Sequence, residues 1–421
     1  MNAITRRSAL GGLVAGSAGA VLLGRRSQAS PRAVSAELLA ATRGIKNRPF
    51  WQHYDSSPIS QATIDAEAPR RGMVAFNAWE GKYIPAFRAA GASNPHLKLY
   101  VYKCFSSTRS FDPGPNAKTS GALLYSWVNA NHPDWFLTRN GSRIQWAGFP
   151  GHYAMDIGNP AYQQACLKAI VTDANKTGWD GVYIDNILYS LSQYSTAPCD
   201  QYATDAKFQH AYTSALSVIG RGISAAGLLS MGNMAGIRVV PGLWASYINA
   251  GLGGGFDEWF VCFGDGQELT DYGSPAEGLQ AQVEEIRLLK HGARPYLAGG
   301  FQAHSATDTR SFRYSFAAWL LGVSSEAFFS EKAAGGGPPR WRAEYDWDFG
   351  WFTGRSQTLQ PSVYRRTFTK GMAVLNARAS GSNVTVNLAN PYGTVYMDQD
   401  GNSRTSVSLP PKTGMALRKV R

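Results

Sequence analysis

The sequence is poor in the residues that build metal and redox centres. Its four cysteines, Cys104, Cys166, Cys199 and Cys262, are dispersed with no CxxC pair, which argues against a zinc site or a thioredoxin-like motif. The seven histidines are equally scattered and no HExxH occurs. Only His152 with Asp156 makes a near pair of possible ligands, so neither a metal nor a cofactor is expected. Also missing are a GxxxxGK[ST] phosphate loop, a GxGxxG after a strand and a GxSxG nucleophile elbow. Beyond the N-terminus no apolar run is long enough to span a bilayer. No basic run exceeds Arg70-Arg71 or Arg365-Arg366, so the net charge of +12 lacks the dense patch that nucleic-acid binding requires.

What remains is a chain of 421 residues with 44% apolar and 17% charged residues, enough for a large folded core. Residues 1–29 stand apart. Thr5-Arg6-Arg7-Ser8-Ala9-Leu10 opens a small-residue apolar run to Leu23, followed by Ser27-Gln28-Ala29. This resembles a twin-arginine export signal cleaved after Ala29, with a mature chain that is periplasmic or secreted and holds no membrane insertion. Four arginines, Arg6, Arg7, Arg25 and Arg26, lie in this segment with no acid among them; without them the charge is +8. An oxidising destination would permit a disulfide, for which Cys199 and Cys262 are the candidate pair, with buried thiols the alternative.

After a lead-in over 30–71, short β-rich runs alternate with segments of helical period, the pattern of βα units around a parallel sheet. Eight candidate strands follow: Met73 to Trp79, Leu97 to Cys104, Tyr153 to Ile157, Gly181 to Asp185, Leu228 to Asn233, Glu258 to Phe263, Pro295 to Gly299 and Glu326 to Phe329. They predict a (β/α)8 TIM barrel, an α/β fold, over 72–355. Helix signals sit between them: Asn159-Pro160 ahead of Tyr162, Cys166 and Ile170; Phe208, Tyr212, Ala215 and Ile219 in register; and a capping box at Ser274-Pro275-Ala276-Glu277 ahead of Leu279, Val283, Ile286 and Leu289. The long connection 105–152 carries Tyr125, Trp127, His132, Trp135 and Trp146, flat rings that suit the faces of sugars or else a satellite core. Over 356–421 short alternating runs, among them Met372 to Asn376, Val384 to Leu388, Thr394 to Asp398, Ser406 to Leu409 and Met415 to Arg418, predict a small antiparallel β-sandwich packed on the barrel.

Functional side chains of a barrel lie at the C-terminal ends of its strands. Carboxylates mark four such places: Asp156, Asp185, Glu258 and Glu326. The clearest is Trp179-Asp180-Gly181-Val182-Tyr183-Ile184-Asp185-Asn186, an apolar strand that ends abruptly in Asp-Asn. Two carboxylates facing each other across a pocket can cleave a glycosidic bond, one as nucleophile or base and the other as proton donor. Trp259 and Phe260 suggest an apolar setting for Glu258, and Asn186 a polar one for Asp185. Asp185 is therefore the candidate nucleophile and Glu258 the candidate general acid/base. Asn77, Trp79, Lys103, Asn186, Asn233, Gln302 and Glu326, near other strand ends, are candidate substrate contacts.

Ala154-Met155-Asp156-Ile157-Gly158-Asn159-Pro160, Gly178 to Asn186, Gly255 to Trp259 and Arg366 to Asn376 resemble bacterial glycoside hydrolases of the hypothetical glycoside hydrolase family 15 type. The resemblance implies a (β/α)8 barrel with an Asp on strand four and a Glu on strand six, matching Asp185 and Glu258, and makes Asp156 a secondary carboxylate near the substrate. It implies a carbohydrate partner and leaves the sugar open. Two rival functions are weighed against a retaining glycosidase: a non-catalytic carbohydrate-binding or cell-envelope protein on a degenerate barrel, and a polysaccharide deacylase using a metal or a Ser-His pair.

Overall fold

The computed structural model describes residues 45–420 except 115–117, 195–197, 265, 272–277, 289–295, 302–308, 325, 334–335 and 389–392. Residues 1–29, expected to form an export signal, the expected Ser274 to Glu277 capping box, Leu289 and Gln302 lie outside the described residues. Eight parallel strands form one sheet in chain order: β1 Phe50–His53, β2 Met73–Phe76, β3 Lys98–Lys103, β4 Gly181–Ile184, β5 Leu229–Asn233, β6 Gly255–Asp257, β7 Tyr296–Phe301 and β8 Ala327–Lys332. A helix precedes each strand after the first: α1 Gln61–Glu67, α2 Ile84–Ala90, α3 Pro160–Thr177, α4 Asp205–Ala225, α5 Leu243–Ala250, α6 Leu279–Leu288 and α7 Arg310–Gly322.

Local chemistry fixes these helices. The Asn159 side chain accepts from the backbone N–H of Ala161 and Tyr162, Pro160 supplies a preset first residue, and Gly178 ends α3 in the left-handed region at φ 84°. On α4, Phe208, Tyr212, Ala215 and Ile219 are buried on the predicted face. The sheet closes through side chains at its seam: Asn47 donates to the carbonyl of Phe329 at 2.8 Å and accepts from its N–H at 2.7 Å, and Ser330 Oγ donates to the carbonyl of Phe50 at 2.9 Å.

Three strand assignments change, the sixth strand being Gly255–Asp257 and not Glu258 to Phe263. Phe50–His53, within the predicted lead-in, is the first barrel strand and pairs with β2, so the barrel begins well before residue 72. Tyr153 to Ile157 is not a barrel strand: His152–Ala154 pairs antiparallel with Ser107–Arg109 as a hairpin in the long β3 to β4 connection. The sixth strand ends at Asp257, which puts Glu258 just past its C-terminal end. Within the long connection, Trp135 is buried and stacks on His132 at 3.8 Å, and Tyr125 packs edge-on to Phe136. These rings join the outer core of the barrel and form no separate cluster; the aromatics of this connection most open to solvent are Phe111 and Phe149. No disulfide joins Cys199 to Cys262, and all four cysteines are buried thiols. Among the described residues no helix is long and apolar enough to cross a membrane.

The C-terminal region holds a six-stranded antiparallel sheet, built on β9 Gln357–Gln360, β10 Val363–Phe368 and β11 Gly371–Asn376, with β13 Tyr396–Met397, β14 Ser403–Arg404 and β16 Thr413–Lys419 completing it. The ribbon of β12 Val384–Asn387 and β15 Ser406–Leu409 packs against it. Alternation along β11 explains why all six of its residues are buried: Met372 and Val374 face the ribbon, whereas Ala373 and Leu375 join the core shared with α7. Arg366 ties the two parts together, its guanidinium donating to the carbonyls of Leu320, Leu321 and Val323 at the end of α7.

Candidate active site

The barrel interior is filled by Phe50, Met73, Ala75, Tyr100, Tyr183, Met231, Phe256, Leu297 and Phe328. Side chains alternate across a strand, so residues two further on face inward again, one level nearer the C-terminal rim. From Tyr100, Tyr183, Met231 and Phe256 that step reaches Tyr102, Asp185, Asn233 and Glu258, a polar layer on an apolar floor. From Phe328 the same alternation passes Ser330 and reaches Lys332.

The polar layer is one connected network. Asp185 accepts from Tyr102 Oη at 2.6 Å through Oδ2 and from Asn233 Nδ2 at 2.8 Å through Oδ1. The same Nδ2 donates to Oε2 of Glu258 at 2.8 Å, so the two carboxylate oxygens lie at most twice 2.8 Å, or 5.6 Å, apart. Glu258 Oε1 is held by Lys332 Nζ, whose ammonium also stands 4.1 Å from the centre of the Trp259 ring. Burial pushes Lys332 down to about 8, with the charge of Asp185 opposing the shift. Burial and Asp185 together push Tyr102 well above the usual phenol range, so it stays an O–H donor. The apolar setting expected around Glu258 is not found: Trp259 stacks on Lys332 and Phe260 is buried in the outer core.

Two backbone turns aim the carboxylates. Asn186 adopts φ 56° directly after Asp185, a conformation asparagine tolerates better than most residues. Its side chain reaches Cys104 Sγ at 3.5 Å and its carbonyl accepts from Tyr212, so it shapes the turn and points away from the pair. Val261 adopts φ 46° three residues past Glu258, a strained state for a β-branched residue that costs about 1–3 kcal/mol. Gln282 holds it there, accepting from the Val261 N–H at 2.6 Å while donating to Asp257 at 2.7 Å.

Beside the pair opens a cavity of about 370 Å³, lined by Gln52, Tyr54, Asp55, Trp259, Lys332 and Pro339 among others, within the range of small-ligand sites. The remaining predicted contacts are placed elsewhere. Asn77 is buried and donates to the Tyr54 carbonyl and to Ser56, and Trp79 donates to Ser56 at 3.0 Å; both brace the chain after β1. Lys103 lies on the outer face of β3, paired with Asp173 of α3 at 2.8 Å. Asp156 bonds Tyr202 and the Gly158 N–H beside a separate open groove that also contains His210. Glu326 precedes β8, at the N-terminal end of the barrel, where its carbonyl accepts from the Tyr296 N–H. The sequence reading missed Tyr102 and Lys332, although the alternation from Tyr100 signals the first. Among the described residues no three His, Cys, Asp or Glu side chains converge to hold a metal ion.

The family model of hypothetical glycosyl hydrolase family 15 matches residues 92–372. The chain belongs to this family. No curated protein matches it. Among solved structures, the glycoside hydrolase domain of PelA from Pseudomonas aeruginosa is 13% identical, with a TM-score of 0.43 over 69% of this chain and 96% of that one. An α-amylase from Geobacillus thermoleovorans, complexed with acarbose, is 10% identical with a TM-score of 0.49, over 90% and 99% of the two chains. An α-amylase from Malbranchea cinnamomea is 11% identical, also at 0.49, over 88% and 96%.

Proposed function

We propose that this protein is a retaining glycoside hydrolase in which Asp185 is the nucleophile and Glu258 the general acid/base. The observation that carries the reading is the bridging amide of Asn233, which keeps one oxygen of Asp185 within 5.6 Å of one oxygen of Glu258, a spacing on the short side that favours the retaining arrangement. Retaining enzymes hold their pair about 5–5.5 Å apart, whereas inverting ones need about 6.5–9.5 Å to admit a water. Asp185 attacks the anomeric carbon while Glu258 protonates the departing oxygen; Glu258 then takes a proton from the water that frees the sugar. Tyr102 and Asn233 hold Asp185 for in-line attack, and the cavity beside Trp259 receives a sugar ring. We further infer export through the Arg6-Arg7 segment, which substitution of both arginines by Lys would block.

Aryl glycosides test the assignment. Asp185→Asn is expected to abolish turnover with an unchanged Tm, and Glu258→Gln to impair phenyl glycosides far more than 2,4-dinitrophenyl ones, whose leaving group needs little protonation. Product of inverted anomeric configuration, or activity of Asp185→Asn above about a tenth of wild type, refutes the mechanism. One observation favours a non-catalytic sugar-binding protein instead: Glu258 is paired with an ammonium, which favours the charged form over the protonated one an acid must have.

A further inference from the structure

The contact between Lys332 and Glu258 supplies what that pairing takes away. Building on the assignment of Glu258 as acid/base, we propose that Lys332 stores the proton of the reaction, handing it from Nζ to Glu258 Oε1 once substrate has displaced water from the site. Three features of the site support this. Lys332 lines the cavity and its Nζ sits on Oε1 of Glu258. The Trp259 ring covers its other side. The neighbouring acids are occupied: Glu331 is held by both nitrogens of Arg342, at 2.6 and 2.9 Å, and Asp55 by Ser57.

The charged groups facing the pair, among the described residues, are Asp185 across Asn233, and Asp55 and Glu331 on the cavity wall, Glu331 being matched by Arg342. Asp185 favours the ammonium in the open, hydrated site. The Lys332 and Glu258 side chains are 24% and 22% exposed, so solvent still stabilises the ion pair. A bound sugar removes that water, and an ion pair in a dry site is costly relative to a neutral amine and carboxylic acid. The lowered proton affinity of Lys332, about 8, makes it the donor of the two. An N–H bond breaks and an O–H bond forms. Glu258 then gives that proton to the leaving oxygen, recovers one from the attacking water, and returns it to Nζ. The cycle needs no outside proton.

The pair is testable before any natural substrate is known. In the full-length protein labelled with 15N and 13C at lysine, the signal lost in Lys332→Met is expected to titrate near pH 8. In Glu258→Gln, which removes the anionic partner, it is expected to titrate at lower pH. Titration in the ordinary lysine range, or indifference to Glu258→Gln, overturns the pairing. Kinetics test the transfer: Lys332→Met and Lys332→Arg, the second keeping a charge it cannot release, are expected to lose about 100-fold on phenyl glycosides with little loss on 2,4-dinitrophenyl ones. In Lys332→Met the alkaline limb of the pH profile also moves to lower pH. Equal losses on both leaving groups at wild-type Tm, or full activity of Lys332→Arg, overturn the proton role. If wild-type protein turns over no aryl glycoside, the glycosidase reading fails and the proposal with it, whatever the titration shows.

Discussion

Asn233→Asp changes almost nothing in shape and everything in charge. The Asn233 amide nitrogen stands 2.8 Å from an oxygen of Asp185 and from one of Glu258; the substitution puts a carboxylate oxygen in its place. Two unit charges at 2.8 Å, in the effective dielectric of about 20 that suits such sites, repel by about 6 kcal/mol. Lys332, paired with Glu258 and within the field of Asp185, offsets only part of this repulsion. The introduced carboxyl is therefore expected to retain its proton until about four pH units above its ordinary value. The unfolded chain releases the same proton near pH 4. Below that pH the variant and the wild type differ little. As the pH rises from there toward the raised folded-state value, the variant progressively loses stability, because its unfolded state alone ionises freely. Thermal melts at pH 5, 6.5 and 8 read this directly and need no substrate. The Tm gap should widen steadily with pH. A gap that is the same at pH 5 and pH 8 would show that the three side chains do not share one site, and would refute the bridged geometry on which the retaining assignment stands.

Other perturbations bear on the walls around the pair. A Cβ at Gly299 would lie 2.9 Å from both the Glu258 carbonyl and the Phe256 ring, so Gly299→Ala should cost about 1–3 kcal/mol and reduce kcat by displacing Glu258; unchanged melting and unchanged turnover argue against a close-packed support. Glu285 is buried against Asp257, and burial with that neighbouring charge raises it well above the usual carboxylate range. Its contribution to stability is thus present in acid and lost as pH rises, so Glu285→Gln should raise Tm at pH 8 and leave it nearly unchanged at pH 4; a gain of the same size at both does not fit. Arg366→Ala removes the three contacts of Nη1 with the carbonyls ending α7 and should lower Tm by several degrees, a loss that Lys, which lacks the Nε bond to the Gly354 carbonyl, would only partly recover.

The barrel was readable because its helices announce themselves. Asn159-Pro160 and the apolar face of α4 follow local rules that need no tertiary information. Strands of four residues buried on both faces give a weaker signal. Phe50–His53 has neither alternation nor length to mark it, while the apolar Tyr153 to Ile157 mimics a strand. One omission and one false addition cancelled, which is why Gly181–Ile184 was numbered fourth correctly. Asp185 stood out because a carboxylate closed an otherwise apolar run. Lys103 misled because proximity to a strand end was weighed without parity: Tyr102 and Lys103 are adjacent, and only one can face the interior. Parity from Phe328 points to Lys332 too, but the strand expected from the sequence stops at Phe329, three residues short of it, and only the closed barrel brings it to Glu258.

The seam at Asn47 has a meaning for occupancy. Where the other staves of the barrel are joined by backbone ladders, β1 and β8 are clasped by an asparagine and a serine. Phe50, Gln52 and Tyr54 on one side of that clasp, and Lys332 on the other, are walls of the same cavity. A ligand that touches both walls acts as a bolt across the joint. Filling the cavity and fastening the barrel are then a single event.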